Sequence, residues 1–247
     1  MTAAARLLSL LDVFSEDRPV LSLTELAEGT GMPLSTVHRL VGELVGWGAL
    51  ERGSDGRYRV GLKVWELGSL SPRSLPLRDV ALPFMKDLAE VTHENVQLSV
   101  LDGGHVVFVE RLAGRGAIRT RTRVGGRLAT VATAGGLVLL AHAPAEVQDS
   151  VLAERFAAYT PFTVTDPREL RATLGEVRSH GYAVCERQVT ADAISVAAPV
   201  RDRRGVVVAA LSVVAAYDEN AARLLVAPVA TAAMGMSRAL GHRPRRR

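Results

Sequence analysis

The sequence contains very little of what several common classes of protein require. Its 247 residues include a single cysteine, Cys185, which excludes an intramolecular disulfide and suits a reducing compartment. No apolar run approaches the roughly 18 residues of a membrane-spanning helix. The apolar N-terminal stretch is not preceded by the charged region of a secretion signal. We therefore expect a cytoplasmic protein.

Residues that support common catalytic chemistry are also sparse. The six histidines include no pair at metal-ligand spacing. His180 and Cys185 could in principle act as base and nucleophile, but a lone cysteine in a strand is more often a small buried residue. The glycine pairs at 125–126 and 135–136 do not form a phosphate-binding fingerprint. The sequence therefore predicts neither an enzyme nor a cofactor or metal site.

Residues 22–47 have the pattern of two short helices separated by a glycine-containing turn, as in a helix-turn-helix. Ser22 and Glu25 have the spacing of a capping box, which predicts a first helix that ends at Gly31. A second helix is predicted to open at Pro33. Its apolar residues recur at helical spacing: Val37, Leu40, Val41 and Leu44. Many helix pairs of this kind bind nothing, so the motif alone leaves the function open.

Two short strand-like runs follow, and they favour a DNA-binding role. They flank Asp55 and Gly56, which predicts a β-hairpin over residues 49–60 and so a winged helix. We expect contacts with DNA from nine residues: Ser22, Thr24, Ser35, Thr36, His38, Arg39, Arg57, Tyr58 and Arg59. Those of the second helix would read the major groove, and those of the wing would hold the backbone or minor groove.

The charge of this region is balanced. Residues 1–63 carry seven basic and eight acidic side chains, although the whole chain has a net charge of +4. Affinity for DNA is therefore expected to depend on a few placed contacts and on two symmetric copies, not on a general basic surface.

A different pattern begins near residue 77, with a long helix followed by strands and further helices. Residues 96–100 and 105–110 alternate around a glycine turn, which predicts a hairpin. Three arginines at period two, Arg119, Arg121 and Arg123, predict a strand over 117–123. That face would be solvated or protect a sheet edge; a second nucleic-acid surface is the less favoured alternative. Residues 129–136 lead into an apolar helix whose first amides could bind an anion.

The order of these elements predicts an α+β protein with a mainly antiparallel sheet. We divide it into a winged helix-turn-helix domain at 1–62, a linker helix and linker at 63–76, a second domain at 77–241, and a basic tail at 242–247. Prolines and serines mark the linker, and the arginine-rich tail would add only nonspecific affinity for DNA.

Three groups of short motifs resemble the IclR family of bacterial transcription regulators. They are Gly31-Met-Pro-Leu-Ser-Thr-Val-His-Arg-Leu40, Tyr58-Arg-Val-Gly-Leu-Lys63 with Glu66-Leu-Gly68, and a C-terminal set at 163–167, 181–184 and 197–200. Their order and spacing extend the resemblance over nearly the whole chain. It implies a GAF-like effector-binding second domain, and dimers that often pair into tetramers on palindromic operators.

The resemblance also implies a ligand site. Carried over by position, the effector-binding residues are Ala134, Gly135, Cys185, Ser195 and Ser212, and small acids, often aromatic or 2-oxo acids, are common effectors. Departures from the family pattern include Cys185 in place of an aspartate found in some members. Arg187 and Gln188 stand where acidic pairs are common, and Asp192 stands where glycine is usual.

Together these features predict a ligand-responsive transcriptional regulator, expected to be a repressor, with double-stranded DNA and a small molecule as its partners. The alternative is a small-molecule-binding or enzymatic GAF-like domain with a vestigial DNA-binding appendage.

Overall fold

Capping residues delimit the first helix of the helix-turn-helix as the sequence predicts. The computed structural model describes residues 1–71, 73, 75–156 and 158–243, and the chain divides into two units, 1–75 and 76–247. Helix α2 (Leu23–Thr30) starts after a complete capping box between Ser22 and Glu25. It ends at Gly31, whose φ of 67° is the left-handed conformation that favours glycine.

The remaining elements complete a winged helix. They are α1 (Ala3–Ser9), a 3-10 turn (Leu11–Val13), β1 (Val20–Leu21), α3 (Leu34–Trp47), β2 (Leu50–Arg52), β3 (Tyr58–Val60) and α4 (Leu62–Ser69). The apolar stripe of α3 is buried as predicted, against Leu10, Leu26 and Leu50.

Three details of this unit differ from the predictions. Pro33 is the N-cap of α3 and not its first helical residue, with an extended ψ of 141°. The apolar residues within 3–14 have the spacing of a single helix, but α1 stops at Ser9 and a 3-10 turn follows it. The wing has an additional strand, because β1 pairs with β3 and gives the order β1-β3-β2.

The second unit is an antiparallel sheet with helices on both faces. Its strands are β4 (Asn95–Asp102), β5 (His105–Leu112), β6 (Arg127–Ala129), β7 (Ala183–Glu186), β8 (Ala193–Arg201) and β9 (Val207–Ala216), in the order β6-β5-β4-β9-β8-β7. Its helices are α5 (Leu75–Thr92), α6 (Ala134–Ala141), α7 (Ala145–Leu152), α8 (Pro167–His180) and α9 (Ala221–Ala239). The α+β fold class is confirmed.

The two faces of the sheet have separate cores. Helices α5 and α9 pack on one face, where Leu98, Val196 and Leu211 are fully buried. Helices α6 and α8 pack on the other, with Leu137 and Leu174. Successive residues of a strand point to opposite faces of the sheet. The strand residues that alternate with the first core therefore face α6.

One predicted strand is wrong, and one prediction lies outside the described residues. Residues 117–123 form an irregular loop between β5 and β6 and not a strand, although their arginines alternate. Alternating charged residues do not form a strand unless a neighbouring strand offers backbone hydrogen bonds. The tail residues 244–247 lie outside the described part of the chain.

Candidate functional site

The solvent-facing side of α3 carries the polar residues that the sequence singled out. Ser35, His38 and Arg39 are exposed and Thr36 is half-buried, because the apolar stripe turns to the core on the opposite side of the helix. Leu34, at the start of the helix, is also 51% exposed. A short row of polar groups with one arginine can therefore enter a DNA groove.

The predicted cations of this unit are already paired with carboxylates. Arg39 bonds to Glu43 one helical turn away, and both side chains are more than half exposed. Arg59 donates from Nε to Glu51 at 3.0 Å across the wing. A phosphate that binds either arginine must compete with an intramolecular acid.

Arg57 joins the wing to the start of α2. Its Nη2 lies 2.7 Å from Oε2 of Glu25 and 3.3 Å from the carbonyl oxygen of Val20. The capping bonds from Ser22 are the main cause of the lowered pKa of Glu25, and the charges of Arg57 and Arg18 lower it further. The hydroxyl of Ser22 is used in the cap, whereas Thr24 is exposed.

Tyr58, which is expected to contact DNA, has its ring in the core. Its side chain belongs to the core of the N-terminal unit, with 7% of its surface exposed, and the guanidinium of Arg52 lies 5.9 Å from its ring centre. As the first residue of β3 it is paired with both Leu21 and Arg52, so its ring turns inward. Tyr58 therefore packs the wing onto the helices.

A pocket lies between the sheet of the second unit and the first turn of α6. Strand register assembles its floor: Cys185 is directly opposite Ser195, and Ser212 is directly opposite Gln97. These polar residues alternate with the apolar core of the other face. The space measures about 560 Å³, part of it open to solvent.

Helix α6 contributes backbone amides to the wall of this pocket. Thr133 caps the helix by accepting from the N–H of Gly136, whereas the amides of Ala134 and Gly135 have no acceptor within the helix. A Cβ on Gly135 would lie 2.7 Å from Oγ of Ser99, so only glycine allows α6 to approach the sheet this closely. The amides and the partial positive end of the helix favour an oxygen or an anion.

All five predicted effector-binding residues line this pocket, and the sequence reasoning missed others. The missed lining residues with polar or aromatic side chains are Gln97, Phe108, Thr120, Arg121, Thr122, Thr133, Gln188 and Thr190. Gln97 has a signal in the sequence, since it alternates with the buried apolar residues Val96 and Leu98. Arg121 was missed because its segment was assigned to a strand.

The residues that depart from the family pattern have separate positions. Gln188 lines the pocket, and its Nε2 lies 3.8 Å from Sγ of Cys185. Burial raises the pKa of the Cys185 thiol to about 12, so it is a neutral group at pH 7 and a poor nucleophile. Asp192 lies at the end of the turn that begins at Arg187, where its carbonyl oxygen accepts from the N–H of Tyr217.

Arg187 fastens the turn that carries Gln188, Val189 and Thr190 along the pocket. Its guanidinium lies 3.7 Å from the ring centre of Phe162 and 5.2 Å from that of Tyr217, and its Nε donates to the carbonyl of Ala191. The hydroxyls of Thr160 and Thr163 hold the same turn from outside. Arg187 therefore stabilises the turn that forms this wall of the pocket.

Replacing Arg187 with alanine is expected to lower the free energy of unfolding by about 1–2 kcal/mol, from the lost cation–π contacts and hydrogen bond. Amide hydrogen exchange should accelerate in residues 187–192, because the contacts of the guanidinium no longer hold this turn. Arg204→Ala, which removes an exposed arginine, is the matched control. Unchanged exchange in this turn would show that Thr160 and Thr163 hold it without Arg187.

Membrane-spanning helices and metal-binding clusters are absent from the part of the chain that the structure describes. No helix there is both long and apolar enough to cross a membrane. No cluster of three or more histidine, cysteine or acidic side chains is placed to hold a metal ion in the residues that the structure describes.

Comparison with known proteins identifies both units. Residues 3–54 match the IclR helix-turn-helix domain, and residues 71–238 match the bacterial transcriptional regulator IclR C-terminal domain. The regulator KipR of Bacillus subtilis is 30% identical over 95% of each chain, and XynR of Escherichia coli is 30% identical over 96% of each.

A solved structure is similar throughout. It is an IclR homologue from Microbacterium hydrocarbonoxydans in complex with 4-hydroxybenzoate, 39% identical, with a TM-score of 0.88 over 97% of this chain and 99% of that one. With a winged helix at one end and an effector-type α+β domain at the other, the chain belongs to the IclR family of transcriptional regulators.

Proposed function

We propose that this protein is a cytoplasmic repressor that binds a palindromic operator and releases it when a small carboxylate-bearing metabolite enters the pocket of the second unit. The observation that supports this most directly is the polar floor of Gln97, Cys185, Ser195 and Ser212 under the amides of α6. A few polar groups among apolar and aromatic walls are typical of a site that orients a small polar ligand.

The nine residues expected to contact DNA divide by their placement. Ser35, Thr36, His38 and Arg39 are proposed to read bases, with Thr24 and Arg59 on phosphates. Ser22 and Arg57 position α2 and the wing, and Tyr58 packs beneath them. Because the arginines are paired with acids, one copy has little uncompensated charge. We therefore propose a homodimer or dimer of dimers on the operator.

The proposed effector is an aromatic acid of the size of 4-hydroxybenzoate, the compound bound by the Microbacterium homologue. Ala134, Gly135, Cys185, Ser195 and Ser212 are proposed to contact it, the amides by donating to one of its oxygens. The enzymatic alternative is disfavoured because the one cysteine is a neutral buried thiol.

The test is footprinting of the intergenic DNA beside the gene, with and without 4-hydroxybenzoate and related acids. We expect protection of a symmetric sequence and a loss of affinity on addition of the effector, by about 5- to 150-fold as is typical of coupled sites. Ser212→Leu should keep operator binding and lose the response, because the leucine fills the floor. Ser150→Leu, on the exposed surface of α7, should behave like the parent. A full response in Ser212→Leu would remove the pocket from the proposal.

A further inference from the structure

We infer that Arg121 recognises the carboxylate of the effector at the mouth of the pocket, with the neutral end of the ligand turned toward the floor. The inference rests on the proposed function and adds the counter-charge and the orientation of the ligand. Among the described residues that line the pocket, Arg121 is the one with a formal charge.

The exposure of the lining residues places Arg121 at the opening. Its side chain is exposed, whereas Gln97, Cys185 and Ser212 on the floor are each at most 3% exposed. An anion that enters this pocket passes the guanidinium before it reaches the buried groups. A carboxylate at the floor would meet the partial charge of the α6 amides but no formal positive charge, whereas at the opening it meets the full charge of the guanidinium.

The loop that carries Arg121 is anchored to the sheet on both sides of this residue. Nδ2 of Asn95 donates to the carbonyl of Ile118 at 2.9 Å, and Nε2 of Gln97 donates to Oγ1 of Thr122 at 2.6 Å. Oγ1 of Thr122 also lies 2.9 Å from that of Thr120. These contacts fix the backbone on both sides of Arg121, so a ligand needs to order only the side chain.

The charge of Arg121 is also uncompensated. Within the described residues it forms no ion pair, in contrast to Arg39, Arg57 and Arg59 of the N-terminal unit. A guanidinium without an intramolecular acid can bind a carboxylate through two parallel hydrogen bonds. The walls beneath it include Phe108 and Leu128, which suit an aromatic ring.

The floor can satisfy a neutral polar group. Ser212 has a hydroxyl, Gln97 an amide, and α6 has the N–H groups of Ala134 and Gly135. Hydrogen bonds to a phenol or similar group need no charge from the protein. A ligand with a carboxylate at one end and a hydroxyl at the other matches both ends of the pocket.

The experiment compares 4-hydroxybenzoate with 4-hydroxybenzamide, its uncharged isostere, by calorimetry on the full chain. We expect the parent to bind the carboxylate about tenfold to a hundredfold more tightly, as for a charged hydrogen-bonded pair. Arg121→Gln should remove this preference by weakening the carboxylate and leaving the amide unchanged. Arg119→Gln, an exposed arginine outside the lining, is the matched control for long-range charge and should keep the preference.

Each other result overturns the inference in a distinguishable way. A preference that survives in Arg121→Gln would place the carboxylate on the amides of α6, and the proposed function would stand. If Arg119→Gln lost the preference for the carboxylate to the same extent, the preference would come from the overall positive charge of the loop and not from a contact with Arg121. Binding of neither compound by the parent would reject the aromatic-acid effector and the role of Arg121 with it.

Discussion

Replacing Tyr58 with alanine is expected to destabilise the N-terminal unit by about 3–5 kcal/mol, the usual cost of removing a buried aromatic side chain. Operator binding should be lost with it, since the wing and the helices share this core. Hydrogen exchange measures the effect: residues 21–60 should lose protection, whereas strands β4 and β9 of the other unit keep theirs.

Tyr58→Phe separates packing from contact with DNA. The ring fills the same space and only the hydroxyl is lost, so we expect operator affinity and protection equal to those of the parent. If Tyr58→Phe bound all DNA more weakly with an unchanged exchange pattern, the hydroxyl of Tyr58 would contact the DNA backbone.

The second large effect concerns Arg39. Arg39→Ala is expected to weaken operator binding by about tenfold to a hundredfold, the discrimination of one good arginine–guanine contact, with little effect on random DNA. Binding to both sequences is measured at matched salt, because phosphate contacts change strongly with ionic strength. Equal affinities of mutant and parent for the operator would exclude Arg39 from base reading.

Arg39 is paired with Glu43, and replacing Glu43 is expected to change the affinity for DNA in the opposite direction. Glu43→Gln releases the guanidinium and removes a negative charge from the exposed side of α3, which we propose faces DNA. Affinity should therefore rise, by up to about fivefold for an exposed pair. The gain should shrink as salt is added. In the double variant with Arg39→Ala, most of the gain should vanish, whereas an undiminished gain would mean that Glu43 acts on DNA without Arg39.

These pairs explain how a winged helix with balanced charge can select its operator. Glu25, Glu43 and Glu51 each hold one of the arginines expected at DNA. Nonspecific phosphate binding then gains little, because each new contact replaces an existing one. Base contacts and the pairing of two half-sites must supply more of the affinity, and we expect a monomeric form to bind poorly.

Local signals in the sequence were sufficient for most helices. The capping box at Ser22 and the stop at Gly31 both have the predicted positions, since each depends on residues only a few positions apart. The irregular loop at 117–123 was not predictable from its arginines. Whether a segment forms a strand depends on a neighbouring ladder with free hydrogen-bonding groups, and that is a long-range property.

By itself, the sequence determined the two-part α+β organisation, the helix-turn-helix with its wing, and, through family resemblance, five residues of the pocket. Only the tertiary structure decided that Tyr58 faces the core, that the arginines expected at DNA are paired with acids, and that Arg121 lines the pocket from an exposed position. The physical reason is distance along the chain. Caps and periodicity act over a few residues, whereas burial, ion pairing and strand register join residues such as Gln97 and Ser212, which meet only after the sheet has formed.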